Sequence, residues 1–310
     1  MSESRVVTFT TDFGLSDPFV GIMHGVVLNI HPETTMVDIS HAVPSYDVLD
    51  GAWTIAQAYR FFPPRTVHVV VVDPGVGGRR RPIIVETDDY VFVAPDNGVL
   101  SLVETREPKF SVRHITAERY FLQPVSQTFH GRDIFAPVAG WLSKGVAPAE
   151  FGPEVSDYVR LPLPAVERVG ENSLRGVVLK ADKFGNLITN ISEQDAPALF
   201  AVSPPAFRLL IAGQTITRMC RSYAEGAEEE FFAIAGSSGY LEVAARQASA
   251  AEKLGAGVGT AVGIVVGELA EGEQQVPFGF AQGRLSTRTR VLARDDTCQE
   301  GLCGFTDSSA

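Results

Sequence analysis

The chain has 310 residues, 45% hydrophobic and 20% charged, the balance of an ordinary globular protein with room for two domains. Its formal net charge is -11 and its pI near 5.1, which argues against nucleic acid as the main partner, since phosphate binding needs a basic face. Cys220, Cys298 and Cys303 are odd in number and form no CxxC pair, so neither a disulfide framework nor a zinc site is expected, and the setting reads as reducing and cytoplasmic. Met1 to Arg5 lack an apolar signal region, and no uninterrupted apolar stretch is long enough to span a bilayer, so no membrane partner is expected.

Val6 to Thr10 alternates as a first strand, and Thr11-Asp-Phe-Gly14 turns at its carboxyl end. A helix follows, entered through Ser16, Asp17 and Pro18, with Phe19, Ile22, Met23, Val26, Val27 and Ile30 at helical spacing. Met36 to Ile39 is a second strand. Asp47 to Tyr59 is a second helix, stopped before Pro63 and Pro64. Thr66 to Val72 is a third strand. Pro82 to Glu86 and Tyr90 to Ala94 read as a hairpin around Asp88 and Asp89, and Asp133 to Lys144 as a further helix. Strands alternating with helices predict an α/β domain with a largely parallel sheet over residues 1–162. Alternating prolines at Arg160-Leu-Pro-Leu-Pro164 make a stiff linker. Short strands then predict a small β-barrel-like domain over 169–267. Residues 268–310, rich in Gly, Gln, Arg, Ser and Thr without a period, read as a disordered tail.

The run Asp73-Pro-Gly-Val-Gly-Gly-Arg-Arg80 carries the most information. It follows the apolar run Val67 to Val72, so Asp73 falls at the carboxyl end of a strand, where open α/β sheets bind ligands. Its glycines permit close backbone approach. Downstream, Thr128-Phe-His130-Gly-Arg-Asp133 adds an imidazole. A carboxylate, a guanidinium and an imidazole suffice to hold and activate a water molecule. The plainer readings are that Asp73 caps a turn, that Arg80 and Arg81 are solvated, and that Arg132 and Asp133 form a structural ion pair. Asp12 either caps the helix after it or binds two neighbouring sugar hydroxyls. Asp182-Lys-Phe-Gly-Asn186 is either a plain turn or an aromatic-base site, with Phe184 stacking and Asn186 pairing. Gly236-Ser-Ser-Gly239 is a turn that could hold a polar ligand group.

In order, these segments, with Ala94-Pro-Asp-Asn-Gly98 and Leu187 to Asn190, resemble the S-adenosyl-L-methionine (SAM) hydrolases, also called SAM hydroxide adenosyltransferases, relatives of the fluorinase and chlorinase. The resemblance spans most of residues 5–266 and leaves the tail without a counterpart. It implies an N-terminal α/β domain, a C-terminal β-barrel-like domain, a homotrimer with active sites between subunits, and cleavage of SAM by water to adenosine and methionine. It implies that Asp73, Arg80 and His130 are catalytic and that Asp12 binds the ribose. Asp182 and Ser237 would hold the amino-acid group, Phe184 and Asn186 would lie along the adenine, and Tyr46 would pack on the sugar. No cofactor or metal is required, and no metal-ligand cluster is visible in the sequence. Other readings are a SAM-dependent halogenase, a SAM- or nucleoside-binding module without turnover, and a metal-dependent phosphohydrolase. His130-Gly131 stands where the fluorinase has an aromatic and a halide-binding serine, and the halogenases lack the Asp73 carboxylate, so water is favoured as nucleophile.

Overall fold

The computed structural model describes residues 6–228 and 230–267, and divides at Leu163 and Pro164 into two compact units. The tail expected at 268–310 lies outside the described residues.

The first unit holds β1 (Val6–Thr11), α1 (Phe19–Ile30), β2 (Thr35–Ser40), α2 (Val48–Ala58), β3 (Val67–Val71), β4 (Pro82–Glu86), β5 (Val91–Pro95), α3 (Ser101–Glu104), β6 (Ser111–His114), α4 (Ala136–Ser143) and β7 (Glu154–Val155). Its sheet runs β2-β1-β3-β5-β4-β6-β7. The first four are parallel, which requires the helical crossovers α1 and α2. The hairpin expected at Asp88 and Asp89 joins β4 and β5, so the sheet turns antiparallel there and continues so through β6 and β7. β3 is buried at every residue, the pattern of a strand covered on both faces.

The helix expected from Asp133 begins instead as a π-type turn over Gly131–Phe135 and becomes regular at Ala136. α1 also departs from its reading. Val20, Met23 and Val27 are buried, whereas Phe19 and Ile22 are exposed. Periodicity places these side chains on neighbouring faces without saying how wide a stripe the sheet covers.

The second unit holds β8 (Glu167–Arg168), β9 (Ser173–Ala181), β10 (Leu187–Ser192), β11 (Phe207–Ile211), β12 (Gln214–Ile216), β13 (Met219–Cys220), β14 (Phe231–Ala235), β15 (Tyr240–Ala245), α5 (Ala250–Leu254) and β16 (Ala261–Val266). They form one curled half-barrel in the order β12-β11-β16-β9-β10-β15-β14-β13, with β8 beside β9. β9 produces the curl by serving two neighbours: residues 173–177 pair with β16 and residues 178–181 with β10.

His68 on β3 is fully buried, stacked on Phe92 at 5.0 Å and hydrogen-bonded through Nδ1 to Thr8 Oγ1 at 2.7 Å. Burial holds its imidazole down to about 3. The unfolded chain protonates this ring near pH 6.5, and the folded chain does not until about pH 3, so stability falls as pH drops through that window. His68→Phe combined with Thr8→Val removes this loss. Between pH 7 and pH 4 the parent should lose up to about 3 kcal/mol more than the double variant. Urea unfolding at the two pH values measures it, and equal losses would exclude His68 as the source.

Candidate active site

Asp73 follows β3 and presents its carboxylate on a loop built of glycines. Gly77 sits at φ +74°, and a Cβ there would lie 2.1 Å from the backbone oxygen of Gln127. Only glycine gives both that backbone angle and that contact. The close approach seats the loop carrying Asp73 and Arg80 against the segment leading to His130. The π-type turn then places Phe135 beneath Arg80, whose guanidinium carbon lies 5.2 Å from the ring centre.

Arg80 therefore joins the other two groups. Its Nε donates to Asp73 Oδ1 and Oδ2 at 3.0 and 2.9 Å, and its Nη2 also donates to Oδ2. The same Nη2 donates to His130 Nδ1 at 2.7 Å. The Arg80 and Asp73 side chains are more than nine-tenths buried. A guanidinium is only a donor, so Nδ1 of His130 is the acceptor and the ring proton resides on Nε2. Burial, then the Arg80 charge, lowers the His130 pKa below the ordinary histidine value, partly opposed by Asp73. The ring is thus neutral near pH 7 and offers an N–H at Nε2.

Neighbouring polar residues support this arrangement. Asn97 Nδ2 donates to the Val72 carbonyl at 2.8 Å, fixing the strand end before Asp73. Arg81 is drawn away to Asp96 by Nε and Nη2 at 2.9 and 2.7 Å. Arg132 pairs with Asp133, and Asp133 also accepts from Ser126 N, so these two are structural. Asp12 lies after β1 and its Oδ2 accepts from Tyr46 N at 2.8 Å. That bond holds Tyr46 at φ +68° with an exposed ring.

The remaining expected residues belong to the second unit. Asp182 staples its own turn, with Oδ1 accepting from Phe184 N and Asn186 N and Oδ2 from Asn186 Nδ2. Phe184 is exposed and Asn186 buried. Ser237 lies exposed on the turn between Gly236 and Gly239. The sequence reading missed Glu242, which is buried beneath that turn, with its Oε1 1.9 Å from where a Gly236 Cβ would stand. Its Oε2 accepts from Tyr223 at 2.8 Å, and burial, reinforced by Asp182, raises its pKa. A lone glutamate inside the apolar strand Tyr240–Ala245 was the available signal.

Comparison with known proteins bears on the chemistry. Residues 7–152 match the family model for the SAM hydroxide adenosyltransferase N-terminal domain, and residues 176–263 the model for its C-terminal domain. The chain is 37% identical to the (R)-S-adenosyl-L-methionine hydrolase of Salinispora tropica, over 86% of this chain and all of that protein. It is 34% identical to the hydrolase of the same name from Thermus thermophilus, over 81% and 96%. A solved structure of an uncharacterized conserved protein from Thermotoga maritima superposes with TM-score 0.77 at 33% identity, over 84% of this chain and 99% of that one.

The Gly77 contact is open to direct test. Gly77→Ala should cost more than about 1 kcal/mol of stability from its backbone angle, plus the displacement of Gln127. Gly145 also has positive φ, but a Cβ there meets nothing within 4 Å, so Gly145→Ala isolates the angle. Chemical denaturation should show the larger loss for Gly77→Ala; equal losses would mean the loop yields freely.

Proposed function

We propose that this chain, which belongs to the SAM hydroxide adenosyltransferase family, hydrolyses SAM to adenosine and L-methionine. The observation that carries this reading is the continuous contact from Asp73 through Arg80 to His130. The substrate's sulfonium is already a good leaving group, so the enzyme need only present a water to the ribose C5′. The water oxygen bonds to C5′, the C5′–S bond breaks with its electron pair passing to sulfur, and one proton is released.

The hydrogen bonds support the following roles. Arg80 reaches Asp73 through its single Nε–H, shared between both oxygens, and through one Nη2–H, and a carboxylate has about four acceptor sites, so at least about one remains for the water. His130 Nδ1 is occupied, and its Nε2–H donates to the water oxygen. Asp73 therefore receives the proton, His130 orients the nucleophile, and Arg80 fixes both. Asp12 with Tyr46 holds the sugar. Asp182 and Ser237 take the amino-acid group. Asn186, whose Nδ2 is held by Asp182, meets the adenine amino group through Oδ1, beside Phe184. The chemistry calls for no cofactor and no metal at this site. A homotrimer with active sites between subunits is the proposed assembly; exposed Phe19, Ile22, Leu28 and Val37 on the first unit support an apolar contact.

No helix among the described residues is long and apolar enough to cross a membrane.

Incubation with SAM in chloride-free buffer containing EDTA should yield adenosine and methionine in equal amounts by chromatography. Asp73→Asn and His130→Ala should each lower kcat by about 10²-fold or more with little change in KM. Intact substrate would support a binding module, and 5′-chloro-5′-deoxyadenosine on adding chloride would support a halogenase. Protonating His130 places an N–H against Arg80, so activity should fall in acid with a midpoint below about 6.5. An acid midpoint above that value would remove His130 from the mechanism.

A further inference from the structure

Asp38 on β2 and His41 just after it are three residues apart, but His24 on α1 lies 14 residues before Asp38, and the fold brings it to them. His24 Nε2 is 2.9 Å from Asp38 Oδ1, and His41 Nε2 is 3.0 Å from the same oxygen. All three ligand atoms fall within 4.8 Å of one another. None belongs to the site described above.

A plain hydrogen-bonded cluster accounts for His24, which bonds Asp38. It does not account for His41. That side chain is 6% exposed, and its Nε2 has no hydrogen-bond partner, although it lies beside a carboxylate oxygen. The other ring nitrogen is engaged, since Nδ1 lies 2.8 Å from Thr11 Oγ1. This is the usual arrangement of a metal-binding imidazole: one nitrogen fixed by an outer partner, the other aimed at the ion. Thr11 Oγ1 can either donate to Nδ1 or accept from it, so it tolerates the tautomer that frees Nε2 for a metal.

Distances decide whether an ion fits. Ligands held about 2.1 Å from a tetrahedral ion lie about 3.4 Å apart. The observed separations of 2.9 and 3.0 Å need to open by a few tenths of an ångström. Asp38 and His24 are partly exposed, at 41% and 23%, so they can move and water can complete the coordination.

We propose that His24 Nε2, Asp38 Oδ1 and His41 Nε2 form a binding site for a divalent first-row transition ion. Two imidazoles and one carboxylate suit zinc, cobalt, nickel or iron and disfavour magnesium and calcium. The ion would tie α1 to β2 and stiffen the turn that carries Asp12, because Gly14 N donates to the His41 carbonyl at 2.8 Å and Thr11 bonds the ring.

The test uses the full chain after chelator treatment, titrated with Zn(II) by calorimetry and with Co(II) by visible absorption. The expected result is one ion bound per chain at a site that Asp38→Asn and His24→Gln each weaken by at least about tenfold. Zn(II) should raise the thermal midpoint of the parent more than that of either variant. Both substitutions fall on partly exposed side chains, and circular dichroism establishes that each variant is folded. Absence of saturable binding to the parent overturns the proposal, as does binding unchanged in both folded variants, which would place the ion elsewhere. SAM cleavage measured in EDTA is independent of this outcome, so the two readings fail separately.

Discussion

One guanidinium organises the first unit's site. Arg80 spends Nε and Nη2 on Asp73 and shares Nη2 with His130, so one side chain fixes a carboxylate and an imidazole 57 positions apart in the chain. A lysine could not replace it, because a single ammonium lacks the planar fork that reaches both. The contact also determines protonation. A guanidinium offers only donors, which leaves His130 Nδ1 as the acceptor and Nε2 carrying the proton.

That contact depends on backbone placement more than on the side chains themselves. β3 delivers Asp73 because it is buried on both faces and must end where the sheet ends. Asn97 from the neighbouring turn satisfies the last carbonyl. Gly77 then lets the loop close on Gln127, and the π-type turn puts Phe135 under the guanidinium. Each device answers a local need: a strand-end carbonyl, a left-handed residue, a flat surface for a flat cation. Their joint effect is to hold Arg80 more than nine-tenths buried with Nε and Nη2 engaged by Asp73 and His130.

The parts of this arrangement differed in how far they could be read from residues alone. Asp73 and the adjacent Arg80 and Arg81 fall on one loop after an obvious strand, so short-range pattern locates the loop and its carboxylate. His130 lies 50 residues beyond Arg80; residue chemistry suggests it as a companion of the loop, family resemblance implies its catalytic role, and the Gly77 contact supplies the physical reason the two segments meet. The fold class followed from strand and helix alternation, and the hairpin at Asp88 and Asp89 from turn chemistry. What pattern could not carry was which face of α1 the sheet covers, since that depends on sheet width, and which arginine turns inward, since Arg80 and Arg81 are adjacent and differ only in what the fold sets opposite them. The His24, Asp38 and His41 cluster was invisible for the same reason. Asp38 and His41 are close in the chain, but His24 comes from α1, the crossover between the parallel strands β1 and β2, and only the fold brings it beside them.

The choice of nucleophile is better argued from hydrogen bonds than from charge. A bare carboxylate would repel a halide by about 1–4 kcal/mol at contact range. Asp73 is not bare: Arg80 lies against it, and the pair is neutral as a unit. Charge alone therefore discriminates weakly. Water, however, both donates and accepts, and can satisfy the remaining acceptor site of Asp73 while accepting from His130 Nε2–H. A halide can accept from His130 but gives Asp73 nothing, leaving a desolvated acceptor at a cost of about 1–3 kcal/mol. The halide also has no proton to release, so Asp73 would have no part in its reaction. In the proposed mechanism, selectivity for water rests on a donor–acceptor pattern that only a protic nucleophile completes, with Arg80 fixing both of its ends.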